Sequence, residues 1–227
     1  MALLEYNPPL DPYLEFIYRD DHIAVMNKPS GLLSVPGKAA EHRDSLQLRL
    51  MRVLPNTSIV HRLDMATSGI IVTAQNKAAH RNISKQFEHR KVNKVYYALI
   101  KGKPKNLAGT IELPLICDWP NRPKQMVDFE RGKPAKTHYE VVEQSKTYSL
   151  VKLVPVTGRS HQLRVHMLSI GHAILGDRLY ACPEGKAMAQ RLCLHASFIQ
   201  FRHPVSDNLL TFENPPDFSF VQKPLSF

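Results

Sequence analysis

The chain has 227 residues, 43% hydrophobic and 22% charged, with a formal net charge of +10. That is enough chain for one large domain or two small ones, in the proportions of an ordinary water-soluble fold. No apolar run approaches the roughly 20 residues a membrane span needs, and the start, with no base and with prolines at Pro8 and Pro9, does not suit a signal peptide. The chain therefore reads as cytosolic. Cys117, Cys182 and Cys193 form neither a CxxC pair nor an even-numbered framework, so reduced, partly buried thiols are expected. His161, His166 and His172 cluster in sequence, and Cys193 lies near His195, but the spacing fits no standard ligand pattern. No metal is expected.

The charge is unevenly spread. Residues 77–105 hold nine bases (Lys77, Arg81, Lys85, Arg90, Lys91, Lys94, Lys101, Lys103 and Lys105) against one acid, Glu88, a net of +8. Residues 1–30 hold two bases, Arg19 and Lys28, against five acids. A basic face of this kind attracts a phosphate backbone through counterion release, although a lysine-rich face kept for solubility has the same composition.

In chain order, 15–18 and 23–27 read as short strands around an Arg-Asp-Asp-His turn, and Lys28-Pro29-Ser30-Gly31 opens a loop. Residues 44–53 read as a helix with Leu46, Leu50 and Val53 on one face. His61-Arg62-Leu63-Asp64 falls in a loop before a β-rich apolar run at 69–74. Asn76 is a cap for a helix over 77–89, with Ala79, Ile83 and Phe87 at helical spacing and a basic opposite face. Strands are expected at 94–100, 109–113, 137–143 and 149–155. Ser160 is expected to cap a helix that runs to Ile170 and ends at Gly171, with Arg164 turned away from a core stripe of Leu163, Met167 and Ile170. Strands at 192–202 and 209–212 follow, and the last ten residues read as a loosely held tail. With no repeat, no linker and no regular βαβ rhythm, the chain is expected to be one α+β domain over 1–227.

Three segments are rich in chemical groups. In the first, Arg62 and Asp64 lie between apolar runs; an aspartate beside an arginine is ordinarily an ion pair, but it can also be a nucleophile or base if a counter-cation keeps it ionised. In the second, Tyr96 and Tyr97 must point to opposite faces of a strand, so one is core and the other can stack on a base. In the third, 158–166 places Arg159, His161, Arg164 and His166 at a helix amino terminus, where anions bind readily.

Taken together, these segments resemble the RluA-type pseudouridine synthases. The resemblance runs from about Tyr13 to Pro215. It is carried by the stretch from Asn27 and Lys28 to Pro36, by His61-Arg62-Leu63-Asp64 with Thr67-Ser68-Gly69, by Lys94-Val95-Tyr96, and by Gly158-Arg159-Ser160-His161-Gln162-Leu163-Arg164. The stretch from Pro114 through Trp119 to Pro123 is similar to one branch of that family. The resemblance implies an α+β pseudouridine synthase catalytic fold, a mixed and mostly antiparallel sheet with flanking helices and an RNA-binding cleft, and no S4 domain. It implies Asp64 as the catalytic carboxylate and Arg62 as the side chain that replaces a flipped-out uridine. Tyr96 would pack on the target base, Arg164 would pair with the aspartate, and Leu194 would line the base pocket. Lys77, Arg81, Lys85, Arg90 and Lys91 would grip the RNA backbone. No cofactor is implied. The implied partners are tRNA, at position thirty-two of the anticodon stem-loop, and a hairpin loop of 23S rRNA. Two other readings stay open: a non-catalytic RNA-binding or refolding protein, and a metal-dependent hydrolase.

Overall fold

A computed structural model describes residues 6–218. In chain order its elements are β1 Phe16–Arg19, β2 Ile23–Lys28, α1 Leu46–Met51, β3 Ser58–Ile59, β4 Ser68–Ala74, α2 Lys77–Glu88, β5 Asn93–Lys101 and β6 Ala108–Glu112. They continue with β7 Leu115–Cys117, β8 Gln125–Val127, β9 Lys136–Gln144, β10 Tyr148–Pro155, α3 Gln162–Ser169, α4 Pro183–Ala187, β11 Leu194–Arg202 and β12 Leu209–Glu213. The chain divides into two compact units, one of residues 6–94 and 195–216 and the other of 95–194 with 217–218. It passes between them inside β5 and again at the start of β11.

In the first unit β2 lies between β1 and β4 and pairs antiparallel with both, while β11 runs parallel to β4, with His195 opposite Ser68 and Ala196 opposite Gly69. β12 closes on β11, and the short β3 adds to β4. All seven residues of β4 are buried, which is why its apolar run is unbroken rather than alternating. Gly69 has φ +110, and a Cβ there would stand 2.3 Å from the Ala196 carbonyl oxygen. Only glycine lets the two backbones approach this closely. Ile23, Val25, Ile70, Val72, Ile83, Val92, Ile199 and Phe201 form the core, with Phe87 packed against it, so α2 lies on the sheet by the apolar face its spacing predicts. The Asn76 side chain accepts from the Ala79 N–H at 2.9 Å, as a cap should.

The second unit is antiparallel throughout its main sheet, in the order β5, β10, β9, β6. β7 and β8 form a separate hairpin, which α3 packs against; Leu115, Ala135 and Val165 are buried together with Val127 and Tyr180 beside them. Among the described residues, mostly antiparallel strands, with β4 and β11 running parallel, and four helices make an α+β fold of the expected kind. Among the described residues no helix is long and apolar enough to cross a membrane. Cys117, Cys182 and Cys193 are all thiols.

Local expectations were overturned in two helices. Ser160 does not cap α3. The helix begins at Gln162, its N-cap is His161 in the left-handed region at φ 53, and no side chain caps it in the usual way. Gln162 instead ties the turn to the sheet: its Oε1 accepts from Arg159 N and Thr157 Oγ1, and its Nε2 donates to Lys136 O and Thr137 Oγ1. Nor does α3 have a polar face at Arg164, since all residues from Gln162 to Met167 are buried. In α1, Ser45 caps the amino terminus and Val53 lies beyond the end, exposed. The hairpin β7–β8, the short β3 and α4 have too few residues to show a period. Most of the carboxy-terminal tail lies outside the described residues.

Candidate active site

Asp64 stands in the loop between β3 and β4, and a second loop clasps it. Lys28, at the end of β2, is fully buried, and its Nζ donates to the carbonyls of Pro29 (2.9 Å), Leu32 (2.7 Å) and Met65 (3.1 Å). Gly31 N donates to Met65 O and Ser30 Oγ to Ala66 O. Ser34 Oγ both donates to Leu63 O and accepts from Leu63 N. Carbonyls or amides on each side of Asp64 are thus pinned, and Thr67 N closes the turn onto Asp64 O. Asp64 is partly exposed and Arg62 exposed.

Two titratable groups flank this turn. Burial pushes Lys28 down to about 7, and the Asp64 charge opposes that fall. Three carbonyl acceptors match the three donors of an ammonium, so the contacts favour the charged form. Asp64 therefore has a cation close by within its own unit. His61 is pushed down to about 3, chiefly by burial and next by Lys94. Neutral imidazole is what the geometry needs: Nε2 accepts from Val72 N at 3.0 Å, and the ring stacks on Phe87 at 4.5 Å.

In the second unit Arg164 is buried in a fork-to-fork pair with Asp177, Nε to Oδ2 at 2.8 Å and Nη2 to Oδ1 at 2.7 Å. Asp177 Oδ1 also accepts from Leu179 N and Tyr180 N. The guanidinium lies 5.0 Å from the centre of the Tyr180 ring, and the Tyr180 hydroxyl bonds His161 Nδ1 at 2.7 Å. The left-handed His161 is thus fixed from the side by the tyrosine that covers Arg164, which is backbone strain held at a site dense in donors. Tyr97 is fully buried and Tyr96 partly exposed, the division that alternation along a strand requires. Leu194 is buried.

Lys77, Arg81 and Lys85 are exposed along α2, and Arg90 and Lys91 are exposed just after it. Lys94 departs from that set. It turns partly inward, 5.8 Å from the Phe87 ring centre, and burial lowers its pKa. His166 is buried on Thr137 and the Leu113 carbonyl, and His195 on Ser68 and the Asn214 carbonyl. Among the described residues no three His, Cys, Asp or Glu side chains gather as metal ligands.

In the sequence Lys28 stands only as part of the stretch that runs to Pro36, and nothing there marks Asp177 or Tyr180. A lysine that ends an apolar strand and precedes Pro-Ser-Gly was the visible signal for the first. The other two are in no helix or strand and carried no signal.

The fold and these segments define a class of protein. Residues 22–169 match the family model described as RNA pseudouridylate synthase, and the chain belongs to that family. It is an enzyme that isomerises uridine to pseudouridine in RNA, which sets aside the reading as a non-catalytic RNA-binding protein. Within the family it is 57% identical over 219 residues to the dual-specificity RNA pseudouridine synthase RluA of Escherichia coli (strain K12), covering 96% of this chain and 100% of the relative. It is 52% identical over 223 residues to RluA of Vibrio parahaemolyticus, covering 96% and 89%. Among solved structures, human RNA pseudouridylate synthase domain containing 1 matches with TM-score 0.76 at 30% identity, over 90% of this chain and 84% of the other.

Proposed function

We propose that Asp64 is the carboxylate that attacks the target uridine, and that the targets are the anticodon stem-loop of tRNA and a hairpin loop of 23S rRNA, in the cytoplasm. The observation that carries the first part is the clasp: the backbone of the turn that bears a partly exposed carboxylate is pinned by Lys28, Ser30, Gly31 and Ser34, a rigid support of the kind a nucleophile needs. The name of the similar RluA proteins supports the dual target.

In the reaction the N1–C1′ bond breaks, the uracil turns, C5 joins C1′ and loses its proton, and N1 takes one up, so atoms balance with no redox step. The base must first leave its stack, at a cost of a few kcal/mol. Arg62, exposed two residues from Asp64, is suited to fill the gap it leaves. Tyr96 and Leu194 are assigned to the uracil ring and Arg164 to charge near the reacting carboxylate.

Release of tritium from RNA labelled at uridine C5 tests this. Wild type is expected to release tritium from both RNAs, and Asp64→Ala from neither, with RNA affinity changed by less than about threefold. Release by Asp64→Ala would remove the carboxylate from the chemistry, and release by wild type from one RNA alone would remove the second target.

A further inference from the structure

The β7–β8 hairpin has no part in the chemistry above, yet it presents the chain's single tryptophan to solvent. Trp119 is 64% exposed at the tip, and the Arg122 guanidinium lies 4.6 Å from the centre of its ring. Phe129, beyond the hairpin, is 77% exposed. An exposed aromatic ring backed by a cation is a surface on which an unpaired base can stack.

The tip is built rather than loose. Asp118 accepts twice from the Asn121 side chain, at 3.1 and 2.9 Å, and backbone bonds join Asp118 with Lys124 and Asn121 with both. Asp128 is likewise spent on the next turn, where it accepts from the backbone of Glu130 and Arg131 and from the Arg131 side chain. Two of the segment's three acids are therefore consumed internally. Arg122, Lys124 and Lys133 have no carboxylate partner among the described residues, so the face offered outward is aromatic and cationic.

The hairpin is also fastened to the Arg164 cluster. Gln125 N donates to the Tyr180 hydroxyl at 2.7 Å, the same hydroxyl that bonds His161 and the same ring that covers Arg164. A base stacked at the tip would thus be held at a set distance from Arg164.

We infer that this hairpin is an RNA-binding arm, in which Trp119 stacks an unpaired base of the substrate loop while Arg122 backs the ring and Lys124 and Lys133 meet phosphates. A ring with a cation on one face keeps the other for a base, and base–aromatic stacking tolerates any sequence. That suits an enzyme asked to accept two different loops. The inference rests on structured RNA being the substrate.

Because Trp119 is the only tryptophan, its fluorescence reports on the arm alone. Titration of the wild type with a tRNA anticodon stem-loop and a 23S rRNA hairpin is expected to quench it saturably. Trp119→Ala is expected to raise KM for tritium release about tenfold, with kcat changed less than about threefold, and Trp119→Phe to lose less. Absence of quenching, or a Trp119→Ala KM equal to wild type, overturns the arm and leaves the exposed rings to a protein partner. If wild type releases no tritium from these RNAs the substrate reading fails, and the quenching titration on the same RNAs still decides the arm. Should Trp119→Ala fail to fold, Trp119→Phe and the titration decide it.

Discussion

Lys28 shows how one side chain can set the geometry of another. Its Nζ bridges its own loop and the Met65 carbonyl, 37 residues away, so the turn bearing Asp64 is held from behind by a buried cation. Lys28→Met keeps the length of the side chain but removes the donor that three carbonyls share, and of these Met65 O keeps the Gly31 N–H. It is expected to destabilise the protein by about 2–4 kcal/mol in urea unfolding. Isomerisation kcat is expected to fall at least about tenfold, more than KM rises, because the carboxylate loses its position and not its charge. His61 gives a pH signature. In the unfolded chain it takes up a proton near 6.5, in the folded protein only near about 3. Between those values the unfolded state binds more protons, so stability present above about 6.5 is lost as pH falls toward 3. Unfolding free energies from urea titrations at pH 7 and pH 4 are expected to differ by about 2–3 kcal/mol more in wild type than in His61→Leu, which cannot titrate. An equal pH slope in the two would show that His61 is protonated in the folded state.

Among the elements, α2 combines an apolar face that packs on the sheet with exposed bases on the other, and its cap, its length and both faces were legible from spacing alone. Lys85→Ala is expected to weaken RNA binding and to reduce the slope of log affinity against log salt by about 0.7 to 1, while kcat is kept. An unchanged slope would place Lys85 off the RNA. The start of α3 was not legible. Ser160 has the right chemistry for a cap, but the sheet bonds of Gln162 and the fixing of His161 by Tyr180 fix the turn one residue later. Local capping preference, about 1 kcal/mol, gave way to several buried hydrogen bonds.

Over the whole molecule, the strands that form each unit's sheet come from distant parts of the chain. β11 returns to lie parallel to β4, and the missing side chain of Gly69 leaves room for the Ala196 backbone. The asymmetry of charge seen in the sequence survives folding on α2 and at Arg90 and Lys91, with Lys94 withdrawn toward Phe87. Local pattern was enough for the longer strands, the helix α2, the loop that carries Asp64 and the family, because each depends on residues within a few positions of one another or on a block of unbroken pattern. Tertiary structure alone decided that Lys28 and Arg164 are buried, that Asp177 and Tyr180 hold Arg164, and that Trp119 stands at the tip of a hairpin fastened to Tyr180. The physical reason is burial. A charge or a strained turn is tolerated inside a protein only where its partners converge, and here each set includes partners from 13 to 55 residues away along the chain.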